Sequence, residues 1–433
     1  MYKTIFLIFF LINSTFSLHS IRDYGAIPND TSVDAAHRNT QAMIDASNSA
    51  NLDPIPENRT VLIPAGYIFY FFTVSLSDLT NVTLRIDGHF AGSTNFTEWL
   101  KILPPFVGLP GPENEPDASI NGTNLLIQNS QNITITGNGI VDGSGNTFWD
   151  AYWVDFSYPR IHLLTMFHCR DIEIYGLHFK NPGSWTLNFA DVLNLHLYNV
   201  NITVDQINKT EMAIKHGISD EAYHAYPLFT DGMDIRGKNV LVENVHIQGF
   251  DDAIGVKEMN WGAVNFDNTF TDCSENMLIR NIIANGTYGV SIGSIHPDIT
   301  PSCIRNITFE NIELYNPKRA INIKMLRGIG NATVDQITFR NFYCDSAESD
   351  LLWLGPTNDP RGDGGCSPDF PTANNSCITN PNISVSNLLF ENIIGINAGG
   401  IPGTFQGKSN TKAHIRTRNG YQTHVLVVIM LYE

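Results

Sequence analysis

Residues 307–312 read Ile-Thr-Phe-Glu-Asn-Ile, and residues 337–342 read Ile-Thr-Phe-Arg-Asn-Phe. The same unit, apolar–x–apolar–x–Asn/Gly–apolar, stands at 172–177, 195–200, 240–245, 277–282 and 388–393, with an earlier copy at 133–137. Its Asn or Gly falls at 176, 199, 244, 281, 311, 341 and 392, so the steps are 23, 45, 37, 30, 30 and 51 residues. Alternation with a period of two makes each copy a strand with one buried face. The residue that ends the alternation is a type that tolerates a left-handed backbone, so each strand runs into a bend. A step of roughly 23–30 residues, lengthened here and there by loops, is how a solenoid reads in sequence. The predicted fold is therefore all-β: a single-stranded right-handed parallel β-helix, with Asn side chains stacked from coil to coil. A β-sandwich of the same strands competes, but Asn-Gly hairpin signals between paired strands are too few for it.

Outside the repeat, residues 40–50 have a short helical look and are expected to cap the open N-terminal end of the stack. Stretches 201–230 and 258–275 interrupt the repeat and should project from one face to wall a cleft. Residues 409–433 carry no copy; the apolar run 425–431 suits a final strand with no assigned place. Residues 1–17 join Lys3 to an apolar run from Ile5 to Ile12, with Thr15 and Ser17 before a cleavage point, a signal-peptide pattern. The predicted organisation is a signal peptide at 1–17, a β-helix at 18–408 and an unassigned tail at 409–433. Thirteen Asn-x-Ser/Thr sequons follow the leader, as suits an extracellular, secreted glycoprotein. Six cysteines allow 15 pairings, with Cys366–Cys377 the favoured local pair. No C-x-x-C or H-E-x-x-H spacing occurs, so a zinc site is not expected; no cofactor is assigned.

Composition narrows the partners. With 26 Lys+Arg against 43 Asp+Glu the formal charge is −17, which argues against nucleic acid and against an anionic membrane surface. After leader removal no membrane attachment and a monomer are expected. Taken alone, the charge also counts against an acidic polysaccharide.

A cluster of carboxylates reverses that last exclusion. Asp231-Gly-Met-Asp234 is followed, twenty residues on, by Asp251-Asp252. That distance is close to one coil, and coils stack about 4.8 Å apart, so Asp231, Asp251 and Asp252 should share a patch. Asp251 and Tyr288 each stand seven residues after a repeat Asn (244 and 281), and Lys257, Ser294 and Lys324 each stand thirteen after one (244, 281 and 311). Equal offsets imply vertical columns, one holding Asp251 with Tyr288 and one holding the two lysines. Three carboxylates suit glycoside hydrolysis, where one acid protonates the leaving oxygen and another activates water. Lysines beside them can take a substrate carboxylate, and Lys318, Arg319 and Arg327 add positive charge near Lys324.

At these residues the chain resembles glycoside hydrolase family 28, the polygalacturonases and their relatives. Thr230-Asp-Gly-Met-Asp234 stands for N-T-D-G-x-D, Asp251-Asp252 for D-D, residues 288–294 (Tyr-Gly-Val-Ser-Ile-Gly-Ser) for H-G-I-S-I-G-S, and Asn322-Ile-Lys324 for R-I-K, in the family's order. The likeness covers roughly residues 20–395. It implies a pectin-lyase-like solenoid that hydrolyses α-1,4-galacturonosyl bonds of a pectic polysaccharide or oligosaccharide with inversion. Carried over by position, Asp251 would be the general acid, Asp231 and Asp252 would hold and deprotonate water, and Lys324 would bind the sugar carboxylate, with Tyr288 and Asn322 in the substrate-binding set; the counted column adds Lys257 to it. Two departures stand out: Tyr288 replaces the family's His, and Asn322 its Arg. They leave open an exo-acting enzyme, one directed at rhamnogalacturonan or xylogalacturonan, and a carbohydrate-binding β-helix without turnover. A lyase using calcium on the three aspartates is a further reading, against which the four motifs speak.

Overall fold

The computed structural model describes residues 18–103, 122–154, 158–205, 227, 229–259, 270, 272–295, 302–325, 331–356, 383–400, 402–408, 415–418 and 428–432. Across them 24 strands pair in parallel, each with the strand one coil away, which is the register of a parallel β-helix. The repeat copies stand in columns. Ile174, Leu197, Val242, Ile279, Phe309, Phe339 and Phe390 are in register through seven coils, and all are buried. A period of two sends these side chains inward, and the coil spacing stacks like on like. Phe339 lies 5.3 Å, ring centre to ring centre, from both Phe309 and Phe390, nearly parallel to each.

The bends are left-handed where the repeat places its Asn or Gly: φ is 79° at Gly176, 52° at Asn199, 56° at Asn244, Asn281, Asn311 and Asn341, and 55° at Asn392. Their amides form a ladder along the axis. Each donates Nδ2 to the Oδ1 one coil back, in the pairs Asn281–Asn244, Asn311–Asn281, Asn341–Asn311 and Asn392–Asn341, at 2.9–3.1 Å. A second ladder, five residues earlier in each coil, joins Asn194, Asn239, Asn276 and Asn306, also with positive φ. Each copy of the repeat is thus bracketed by two left-handed residues. Asn311→Val should destabilise the fold by about 2–4 kcal/mol, from a β-branched residue forced left-handed plus two lost amide bonds. Urea unfolding checks this, and Asn311→Gly should lose only the hydrogen-bond share.

The N-terminal cap is longer than its sequence suggested. Helix α1 spans Val33–Leu52, begins where the Ser32 side chain accepts the Ala35 N–H, and buries Ala35, Ala42, Met43, Ala46 and Ala50 on the first coils. Its first turns, carrying Asp34, His37 and Arg38, are polar on their outer face, which hid the start. The tail without repeats still joins the stack. Ile415–Arg418 pairs with residues 388–391, and Val428–Tyr432 pairs with residues 404–408. Cys273 and Cys303 form a disulfide between neighbouring coils, whereas Cys169 and Cys344 are free and buried. The leader 1–17, most of the stretches 201–230 and 258–275, Arg327, and both members of Cys366–Cys377 lie outside the described residues.

Candidate active site

The acidic residues gather where successive coils begin one outward face. Asp231 precedes strand Met233–Gln248, Asp251 and Asp252 precede Ile254–Val256, Tyr288 precedes Val290–Ile295, and Asn322 and Lys324 belong to Ile321–Met325. Backbone bonds fix the stacking. Gly232 donates its N–H to the Asp252 carbonyl at 2.9 Å, and Tyr288 donates to the Asp251 carbonyl at 2.8 Å. Asp251 and Tyr288 are therefore neighbours on adjacent coils. The bend at Asp251-Asp252 then takes one extra residue, so that Ile254, ten after Asn244, pairs with Val290, nine after Asn281. The chain turns sharply after Tyr288. Gly289 has φ 77°, and a Cβ there would fall 2.1 Å from the Arg319 carbonyl oxygen.

Asp231, Asp251 and Asp252 are all buried, and each presents a carboxylate oxygen within 4.8 Å of the other two. Asp251 is oriented by the chain itself: Oδ2 accepts the Phe229 N–H and Oδ1 the Asp252 N–H, both at 2.8 Å. Lys324 Nζ lies 2.5 Å from Asp252 Oδ2, and Lys257 Nζ lies 4.0 Å from Asp231 Oδ2. Among the described residues no ammonium comes within ion-pair distance of Asp251. Burial and the Asp252 carboxylate push Asp251 up to about 6, against the pull of Lys324 and of its two N–H bonds. Burial, then Asp234 and Asp251, raises Asp231 well above the usual carboxylate range, with Lys257 opposing. Electrostatics thus raises both Asp231 and Asp251, each partly through the charge of a neighbouring carboxylate. The placement of the lysines separates them: each of Asp231 and Asp252 faces an ammonium, while Asp251 does not. Asp231 Oδ1 and Asp252 Oδ1 are buried acceptors without a hydrogen-bond donor among the described residues. Two such oxygens can take both protons of one water and leave its lone pair for attack. Two lysines already bring positive charge to these carboxylates, whereas a calcium ion takes six to eight oxygens.

The expected substrate-binding residues divide. Lys324 is one-fifth exposed beside the trio, and Tyr288 is half-buried next to Asp251. Burial, with the Asp251 and Glu348 charges, raises the Tyr288 phenol, which therefore stays protonated. Asn322 is buried, and its amide donates to the Tyr288 carbonyl at 2.9 Å, so it ties two coils together. Lys257 faces the same acidic cluster as Lys324 but is buried, with Nζ 3.0 Å from Asp234 Oδ1. It is expected among the substrate-binding residues, and the structure places it in an ion pair with Asp234.

Two residues of the site were not singled out from sequence. Asp234, fully buried, was legible only as the last letter of a motif. Trp185 stands one coil before Asp231, because Thr186 donates its N–H to the Asp231 carbonyl at 2.8 Å. Counting misses it, since a register shift between Phe189 and Val192 makes its offset fourteen residues before Asn199, against thirteen for Asp231 before Asn244.

The family model Glycosyl hydrolases family 28 matches residues 59–348. An Aspergillus fumigatus protein described as "Probable endo-xylogalacturonan hydrolase A" is 25% identical over 326 residues, covering 70% of this chain and 68% of the relative. An exopolygalacturonase of Cochliobolus carbonum is 25% identical over 278 residues, covering 63% and 53%. Among solved structures, the polygalacturonase from Erwinia carotovora ssp. carotovora superposes with a TM-score of 0.61 at 16% identity, over 93% of this chain and 97% of that one. The endo-xylogalacturonan hydrolase from Aspergillus tubingensis gives 0.58 at 18% identity, over 91% and 95%. At such identities the likeness is one of fold.

Proposed function

The chain belongs to glycosyl hydrolases family 28 and is a glycosidase, and on that premise we propose that it cleaves α-1,4-galacturonosyl bonds of a pectic polysaccharide. The observation that carries this reading is the trio of buried carboxylates, two facing ammoniums and one, Asp251, protonated up to about pH 6. Water held between Asp231 and Asp252 gives them its proton as its oxygen bonds to the anomeric carbon. The glycosidic carbon–oxygen bond breaks, and the leaving oxygen takes the Asp251 proton. Lys324, the more exposed lysine, receives the carboxylate of the sugar. No metal or cofactor enters these steps.

Attack by water inverts the anomeric centre. Carboxyl groups of an inverting pair usually stand about 6.5–9.5 Å apart, wider than the oxygen spacing here. Two carboxylates holding the water beside the acid, rather than one base across the ring, accommodate the shorter distance. Proton NMR of the first product decides it: the β anomer is expected, and an initial α anomer would sink the water-attack scheme.

The neutral Tyr288 and the backbone-bonded Asn322 favour a substrate other than plain polygalacturonate. Relatives named for xylogalacturonan hydrolysis and for exo-cleavage support either a decorated backbone or attack from a chain end. Reducing-end release from polygalacturonate, xylogalacturonan and rhamnogalacturonan, with product sizing, tests this. Binding with no release from any of them would mark a non-catalytic binder, and an ultraviolet-absorbing unsaturated product would mark a lyase. Tyr288→His with Asn322→Arg should raise activity on plain polygalacturonate about tenfold, the worth of one charge-assisted contact. No change would mean that these positions do not set specificity.

Secretion and a monomeric state are part of the same proposal. The inter-coil disulfide suits an oxidising compartment. Among the described residues no helix is long and apolar enough to cross a membrane.

A further inference from the structure

Lys257 is held in a way that a substrate-binding lysine has no need of. Its side chain is only 6% exposed, and Nζ sits 3.0 Å from Asp234 Oδ1 and 4.0 Å from Asp231 Oδ2. Two backbone bonds pin the residue: its N–H donates to the Ile235 carbonyl at 3.0 Å, and its carbonyl accepts from Ser274 Oγ at 2.5 Å. The lysine folds back over Gly255. A Cβ at that position would stand 2.8 Å from Asp234 Oδ1 and 3.0 Å from Lys257 Cε, so the missing side chain is the space that the ion pair fills. The Trp185 ring covers the ammonium, with its centre 5.3 Å from Nζ. His162 fixes that residue in turn, stacking on its ring at 4.8 Å and accepting the Trp185 backbone N–H at 3.1 Å.

From this geometry we infer that Lys257 is a positioning residue: its ammonium, wedged between Asp234 and Asp231 and covered by Trp185, counters the burial of Asp231 and so favours the ionised form that water activation needs, and Asp234 tempers that effect. The inference rests on the reading of Asp231 as a water-activating carboxylate. The charges that act on Asp231 are those of Asp234, on the strand it leads into, and of Asp251, Lys257 and Asp252 on the next coil. Arg236 stands further along the same strand as Asp234. Tyr288 and Lys324 lie beyond, and Trp185 and His162 belong to the coil before. Burial, Arg236 and Arg160 hold His162 down to about 3, so its ring is neutral at working pH and adds no charge. Burial works against the charge of Lys257, but Asp234, Asp231 and Asp252 override it and keep the ammonium protonated. A cation within about 4–6 Å lowers a carboxyl by about 1–3 pH units, and a neighbouring carboxylate raises it.

The two ends of the ion pair therefore have opposite effects. Lys257→Met should move the acid limb of kcat/KM up by about one pH unit or more, with KM changed less than about threefold. Asp234→Asn breaks the same pair yet should move that limb down, because it leaves the ammonium to Asp231 alone. The Asp→Asn change keeps shape and volume, so it serves even if Lys257→Met fails to fold. Carbon-13 titration of labelled aspartate carboxyls, with the Asp231 signal identified by its loss in Asp231→Asn, reads the same two shifts without substrate. If wild type cleaves no pectic polymer, the functional reading fails while this titration still decides the role of Lys257. Shifts in the same direction in both variants, or none, would overturn the inference. So would a raised KM with an unmoved profile, which would make Lys257 a substrate contact, or movement of the basic limb instead, which would make Asp231 the proton donor.

Discussion

Asp251→Asn is expected to lower kcat by about 10²- to 10⁴-fold, with KM nearly unchanged, because it removes the proton donor and leaves the cleft intact. Folding should suffer little. The native carboxyl is raised from 3.8 to about 6, so above that pH the protein holds a buried charge at the expense of stability. A carboxyl raised in the folded state favours folding below its unfolded value, and that contribution is lost as pH climbs through about 6. Asparagine removes this penalty but can accept only one of the two N–H bonds that Asp251 takes from Phe229 and Asp252. The opposing effects should leave the unfolding free energy within about 1–2 kcal/mol of wild type. Kinetics on whichever pectic substrate wild type cleaves, with urea unfolding at pH 4 and pH 7, checks both halves. Near-normal turnover would refute the assignment of the acid. The basic limb of the wild-type profile should fall near pH 6, the point at which Asp251 loses its proton.

Lys324→Met should reduce kcat/KM by about 10- to 150-fold on substrates with a free carboxylate, the worth of one charge-assisted contact. On methyl-esterified substrate the loss should be much smaller, because a neutral ester makes no ion pair. Part of the effect is expected in kcat, since Lys324 also sits 2.5 Å from Asp252 and its removal takes away the ammonium that this carboxylate faces. Equal losses on both substrates would mean that Lys324 serves only its carboxylate neighbour.

Counting along the chain reached far because the fold is nearly one-dimensional. The columns of Ile174 to Phe390 follow from alternation, and the Asn ladder follows from the residue that ends it. The Cys273–Cys303 bridge was within reach of the same counting, for each cysteine stands eight residues before a repeat Asn, 281 and 311. The second ladder at Asn239, Asn276 and Asn306 was equally countable, at five before. Counting failed where a coil gains or drops a residue: at the shift after Phe189, which hid Trp185, and in the Asp251-Asp252 bend. A single residue of slip is enough to move a side chain to a different neighbour.

The net charge of −17 did not describe the cleft, where lysines meet aspartates one for one at Asp252 and nearly so at Asp231. By itself the sequence determined the solenoid, the coil spacing and the meeting of Asp231, Asp251 and Asp252, because period and offset are properties of order along a chain. Only the tertiary structure decided that Lys324 stays partly exposed beside Asp252 while Lys257 lies buried against Asp234 under Trp185. Both lysines stand at the same offset from their repeat Asn. What separates them is the space left by Gly255 and the desolvation supplied by a ring from another coil, and neither is written at the position of the lysine itself.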